Sequence, residues 1–160
     1  MVVLSGEIGT PMQINSIKWH KVSTGSNAIC ENFSLYLGLC ASDQLSNNSF
    51  DGNYISGTKT LVYSTNVLTV NQTPEWPEII LENSYWYNGT DNLIIEVQWE
   101  NTSISNTYYC HEWVAGSNRC IYKQGSPNIV YDSVLPQMVL SGVFSLENST
   151  FASIKVELGL

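Results

Sequence analysis

The chain has 160 residues, 43% of them hydrophobic and only 12% charged, with a formal net charge of −8. That length fits one domain with a real core, and that hydrophobic share excludes a disordered chain. The 6 Lys and Arg are scattered, which argues against phosphate-backbone binding, so nucleic acid is not an expected partner. Asn, Ser and Thr supply the polarity instead, as on many extracellular β proteins.

No apolar run reaches the roughly 18 residues that span a bilayer, so membrane insertion is not expected. Met1–Gly6 has neither the basic region nor the apolar length of a signal peptide, which reads Met1 as the start of a mature domain. From there, alternation with period two recurs along the chain. Val2, Leu4 and Ile8 begin it, and Ile17 and Trp19 follow. Phe33, Leu35, Leu37 and Leu39 alternate with Ser34, Tyr36 and Gly38. Leu61 and Tyr63 share one face of Thr58–Ser64. Val67–Val70 and Glu78–Leu81 are short apolar runs.

Tyr85–Asn92 followed by Leu93–Trp99 reads as a β-hairpin. Asn88-Gly89 supplies the positive φ of a type I′ turn. Leu93, Ile95, Val97 and Trp99 then share one face, which places Trp99 in the core. Tyr108–Trp113, Arg119–Lys123, Met138–Phe144 and Ile154–Leu158 complete about ten strands. Almost no helix is expected, beyond one turn at Ser42–Ser46 capped by Ser42. The expected fold is all-β: a two-sheet antiparallel sandwich, jelly-roll-like, as a single domain over 1–160.

Cys30 and Cys40 flank the strand Phe33–Leu39 and, fully extended, lie roughly 30 Å apart, too far for a disulfide. Cys110 and Cys120 flank the turn Val114–Asn118, and a hairpin centred on Ala115 predicts a Cys110–Cys120 disulfide. Bonds from Cys30 and Cys40 to that pair remain an alternative. A structural zinc site has little support, because no Cys-x2-Cys spacing occurs and the histidines are only His20 and His111.

No Gly-x-Ser-x-Gly elbow or glycine-rich phosphate cradle is present. His111 beside Cys110 and Glu112 reads as an exposed strand residue, since strand neighbours point to opposite faces, and His20 beside Trp19 reads the same way. Asp91, Glu96, Glu100, Glu112 and Asp132 supply carboxylates for a glycosidase pair, as any acidic sandwich does. Phe50-Asp51-Gly52-Asn53 is a plain Asp-Gly turn, without the ligand spacing of an EF-hand. No metal or other cofactor is implied. Asn32, Asn47, Asn71, Asn88, Asn101 and Asn148 fit the glycosylation pattern, which a chain this rich in Asn, Ser and Thr also produces by chance. Aromatic residues are the unusual store, with 5 Trp and 9 Tyr. Trp86 lies opposite Tyr85 and Tyr87 in alternation, and Trp76 sits in a loop. These two are the candidates for an exposed sugar-stacking face.

Six segments share a pattern: Ile14–Ile17, Phe33–Gly38, Phe50–Tyr54, Thr60–Ser64, Tyr85–Val97 and Gly116–Arg119. Together they resemble β-sandwich modules repeated in large secreted or cell-surface bacterial proteins, some of which carry sorting domains for type IX secretion. The resemblance covers about 10–142 and implies an extracellular, mostly non-catalytic module. Where related modules have Gly-His-Thr, this chain has Gly38-Leu39-Cys40. The tail Ser145–Leu160 lies beyond the usual module end and adds a strand.

The expected role is a structural or assembly module. Identical subunits or neighbouring modules would join through the terminal strands 2–8 (Val2, Leu4, Ile8) and 153–158 (Ile154, Val156, Leu158). The alternative is a module that binds polysaccharide through exposed aromatics.

Overall fold

The computed structural model describes residues 1–22, 28–46, 48–71, 75–100, 110–123, 128–145 and 151–159. Asn47, Asn101, Asn148, Tyr108 and the side chains of Phe144 and Ile154 lie outside that description. Among the described residues the fold is an all-β sandwich of two four-stranded antiparallel sheets.

The first sheet orders β1 (Val2–Val3), β6 (Asn92–Glu100), β3 (Ala28–Cys40) and β4 (Thr60–Val70). The second orders β12 (Phe151–Leu158), β11 (Met138–Ser145), β2 (Met12–Trp19) and β5 (Glu78–Tyr87). The chain crosses between sheets after β1, β2, β4 and β5. Alternation makes the core. Met12, Ile14 and Ile17 of β2, Leu35 and Leu37 of β3, Val62 of β4, Leu93 of β6 and Met138 and Leu140 of β11 are fully buried between the sheets. Each such side chain contributes about 1.5–3 kcal/mol of burial. Asn15 falls at a bulge where β2 shifts register against β5. Across from it, β11 shifts register between Ser141 and Gly142, and Gly142 lies against the Gln13 backbone.

The Tyr85–Trp99 segment is not a hairpin. β5 pairs with β2 and β6 pairs with β3, so Asn88–Asp91 is an arch from one sheet to the other. Gly89 has φ +78° and lies against Pro11, while Asn88 is not in the left-handed region, so no type I′ turn forms. Instead the Asn88 Oδ1 accepts the N–H groups of Thr90 (3.0 Å) and Asp91 (3.1 Å), and the Tyr87 hydroxyl donates to the Asp91 carbonyl (2.8 Å). Trp99 is 52% exposed rather than core, because β6 leaves the sandwich after Ile95 and its last four residues are exposed.

The predicted Cys110–Cys120 hairpin does not form either, and no disulfide joins any of the four cysteines. β7 (Glu112–Val114) pairs with β10 (Val134–Pro136), and β8 (Cys120–Tyr122) pairs with β9 (Val130–Asp132). The segments 112–122 and 130–136 therefore form one interrupted ribbon. Val114–Asn118, read as a turn, does not reverse the chain: Val114 ends β7, and residues 115–119 are a loop bulging from one of the ribbon's strands. Cys110 instead bridges to Lys21.

That loop serves the N-terminus. Arg119 is 3% exposed and makes a two-pronged ion pair with Glu7. Its guanidinium also donates to the Val2 carbonyl (3.1 and 3.2 Å) and lies over the Trp113 ring. Residues 2–8 are not one strand. After β1 the chain makes α1 (Ser5–Ile8), with Leu4 as its cap residue and the Glu7 carboxylate accepting the Leu4 N–H (2.8 Å). Val2 and Ile8 are buried, as are Val156 and Leu158 of β12. Both terminal strands pair within their own chain, Val2 with Ile94 and Ile154 with Gly142. The expected turn at Ser42–Ser46 is not helical; the short turn forms at Asp51–Asn53 as a 3-10 helix.

Candidate functional site

The connection between β3 and β4, residues 41–59, folds over the outer face of the first sheet. Leu45 anchors it in a small apolar cluster with Val2, Cys40, Ile94 and Ile121. The Asn53 side chain ties its middle, accepting from Ser46 N–H (2.6 Å) and donating to the carbonyls of Ser49 (2.7 Å) and Ser46 (2.9 Å). Thr58 closes its end, donating to the Ile55 carbonyl (2.7 Å) and accepting the Leu39 N–H (3.0 Å). These bonds lay the Tyr54 ring on Gly38. A Cβ at Gly38 would lie 2.5 Å from Tyr54 Cε1, so only glycine admits the ring.

The result is an open cleft of about 480 Å³ lined by Tyr36, Asp51, Tyr54, Ile55, Ser56, Gly57 and Lys59. Lys59 Nζ sits 4.7 Å from the Tyr36 ring centre and 5.1 Å from that of Tyr54. It donates to Asp51 Oδ1 (2.7 Å) and Glu96 Oε1 (2.9 Å). The Tyr54 hydroxyl donates to Glu96 Oε2 (2.7 Å), and the Gln98 amide donates to Glu96 Oε1. Two tyrosine rings, one ammonium, two carboxylates and an amide thus converge where β3 and β6 run side by side.

Burial, then the hydrogen bond to Glu96, pushes the Tyr54 hydroxyl far above its ordinary value. Burial alone would lower Lys59, but the bonds to Asp51 and Glu96 outweigh it and raise the ammonium. Both groups hold their protons more tightly folded than unfolded. Their stability is therefore full below the unfolded value, about 10 for tyrosine, and is lost as pH rises beyond it. The melting temperature of the wild type should fall above about pH 10, and more steeply than that of Tyr54→Phe. Equal slopes would show that the Tyr54–Glu96 bond contributes nothing.

Of the aromatics singled out in the sequence, Trp86 is 54% exposed on the outer face of the second sheet. Trp76 is not an open platform. Its ring stacks on His20, centres 4.2 Å apart, and His20 stacks in turn on His111 at 3.9 Å. Trp76 precedes β5 and Trp86 lies near its end, so they are roughly 30 Å apart on extended chain, too far to form one platform. Of the five carboxylates weighed as a catalytic pair, only Glu96 bonds to cleft residues, Tyr54 and Lys59. Glu100 accepts from Asn32, Asp91 is held in the arch, Asp132 accepts the Val134 N–H and Glu112 is exposed on β7. Among the described residues, no three His, Cys, Asp or Glu side chains gather where they could hold a metal ion. Likewise no described helix is long and apolar enough to cross a membrane.

Asp51 was legible only as a turn residue, Tyr36 only as an outward strand residue and part of a resemblance, and Tyr54 only as part of that resemblance. Lys59 carries no local signal. No protein-family model matches the chain, and no curated protein or solved structure matches it.

Proposed function

We propose that this chain is a non-catalytic extracellular module that binds carbohydrate in the Tyr36–Tyr54 cleft. The observation that carries this reading is the pair of tyrosine rings around an ammonium that is bonded to Asp51 and Glu96, with Gln98 bonded to Glu96. A sugar ring presents apolar C–H faces to aromatic rings and a rim of hydroxyls to paired donors and acceptors. The charge pattern favours a neutral sugar. Lys59 is already taken by two carboxylates, and the net charge of −8 repels anionic polymers. Catalysis is disfavoured, because a glycosidase keeps one carboxyl free as the proton donor. Here both carboxylates share one ammonium. The extracellular setting rests on the charge-poor, Asn/Ser/Thr-rich composition and on the resemblance to secreted sandwich modules.

Assembly through terminal strands is the second reading. The observation in its favour is that β12 is an edge strand, with no partner on its outer side among the described residues. Because both terminal strands pair in their own sheets, such a joint would add edge to edge rather than exchange strands.

Electrophoresis of the full chain through gels carrying neutral polysaccharides tests the cleft. The wild type should be retarded by at least one of a β-glucan, a xylan, a mannan and an α-glucan. Tyr36→Ala should weaken that binding about tenfold, equivalent to losing one stacking contact. Unchanged mobility of the wild type in every gel, or full retention by Tyr36→Ala, would remove the reading.

A further inference from the structure

We propose a second carbohydrate platform on the opposite face of the sandwich, built on Trp86, which would let one module bridge two polysaccharide chains. The proposal rests on the carbohydrate reading above but uses none of the cleft residues.

Tyr85 and Tyr87 turn inward and are buried, so alternation forces Trp86 outward on β5. Across the ladder from Trp86 stands Gln13, its amide held 2.5 Å from the Ser84 hydroxyl. Gln13 pairs in turn with Val143, and Val143 with Ser153. This row crosses all four strands, about 14 Å at the usual strand spacing. Beside it lies an open dent of about 360 Å³ lined by Asn15, Ser141, Gly142, Val143, Ser153 and Lys155. The ladder is irregular there, because the bulge at Asn15 shifts the register of β2. An aromatic plate at one end and a trough of hydroxyl and amide groups at the other suit a short run of sugar rings.

The occupant is a neutral polymer. Asp and Glu do not line the dent, and its lone ammonium, Lys155, is paired with Glu157. The cleft lies on the outer face of the first sheet and the platform on the outer face of the second. One short ligand therefore cannot reach both, whereas two chains can be held at once.

The test compares the full-length wild type, Trp86→Ala, Gln13→Ala, Tyr36→Ala and the Tyr36→Ala/Trp86→Ala double variant in the same four polysaccharide gels. Melting temperatures verify that each variant folds. Trp86→Ala and Tyr36→Ala should each weaken binding about tenfold to the polysaccharide that retards the wild type, and the double variant should lose both contributions. Gln13→Ala should weaken the same binding in the same direction. Mixing wild type with that polysaccharide should raise light scattering, and either single aromatic substitution should abolish the rise. If Trp86→Ala and Gln13→Ala bind like wild type while Tyr36→Ala does not, the platform is wrong and the cleft stands. If Trp86→Ala loses binding while Tyr36→Ala keeps it in full, the platform stands and the cleft reading fails. A wild type that binds none of the four overturns both.

Discussion

Gly142→Ala should destabilise the sandwich severely, although it adds only one methyl group. A Cβ at Gly142 would lie 2.8 Å from the Gln13 carbonyl carbon and closer still to its oxygen. The obstacle is backbone in a central strand pair, so no side chain can swing aside. Relief requires β2 and β11 to part at the bulge, which breaks ladder bonds in the middle of the second sheet. The expected cost is at or above about 3 kcal/mol, or roughly 6–12 °C in melting temperature for a chain this long. Gly6→Ala is the control. Its Cβ meets open space in α1, and alanine there should be neutral or stabilise by up to about 1 kcal/mol. Denaturant unfolding of the three proteins distinguishes these outcomes. Similar midpoints for Gly142→Ala and wild type would mean that the bulge is not as tight as described.

Arg119→Ala should be the other severe change. Arg119 joins the ribbon loop to the N-terminal segment through Glu7, the Val2 carbonyl and the Trp113 ring. Truncation leaves the Glu7 carboxylate without its partner and the Val2 carbonyl without two donors. Removing one member of a buried ion pair costs about 3–5 kcal/mol. Arg119→Lys should recover only part of it, since an ammonium cannot make the two-pronged bond. Because the pair carries a desolvation cost of its own, a Glu7→Leu/Arg119→Met double variant should lose less than Arg119→Ala alone. Chemical unfolding of the four proteins measures this. A loss below about 1 kcal/mol for Arg119→Ala would class the pair with ordinary surface ion pairs.

The strands were legible because their burial alternates. Phe33, Leu35 and Leu37 turn inward and Ser34 and Tyr36 outward, as period two demands. What sequence could not show was which strand each one joins. Asn88–Asp91 carries the residues of a hairpin turn, yet the same chemistry serves an arch. The choice was made by β2 and β3, far away in sequence, which pair with β5 and β6. The same ambiguity placed Cys110 opposite Cys120. A Gly-Ser-Asn run between two strand signals marks a reversal or a bulged loop equally well, and β9 and β10 decided for the loop. Trp99 was misplaced because alternation gives a face but not the point at which a strand outruns its sandwich. The cleft was the least legible part. Tyr36 and Glu96 are adjacent only across the β3–β6 ladder, and Lys59 reaches them only because the Asn53 and Thr58 bonds fold the 41–59 connection back.

The most direct test of carbohydrate binding in the cleft is a nuclear magnetic resonance titration of the isotope-labelled full chain with oligosaccharides cut from whichever neutral polysaccharide retains it. Binding in the cleft predicts saturable shifts at Tyr36, Tyr54, Gly57, Lys59 and Glu96, with none at the stacked Trp76. Shifts absent from all five residues, with the sugar bound elsewhere or not at all, would contradict it.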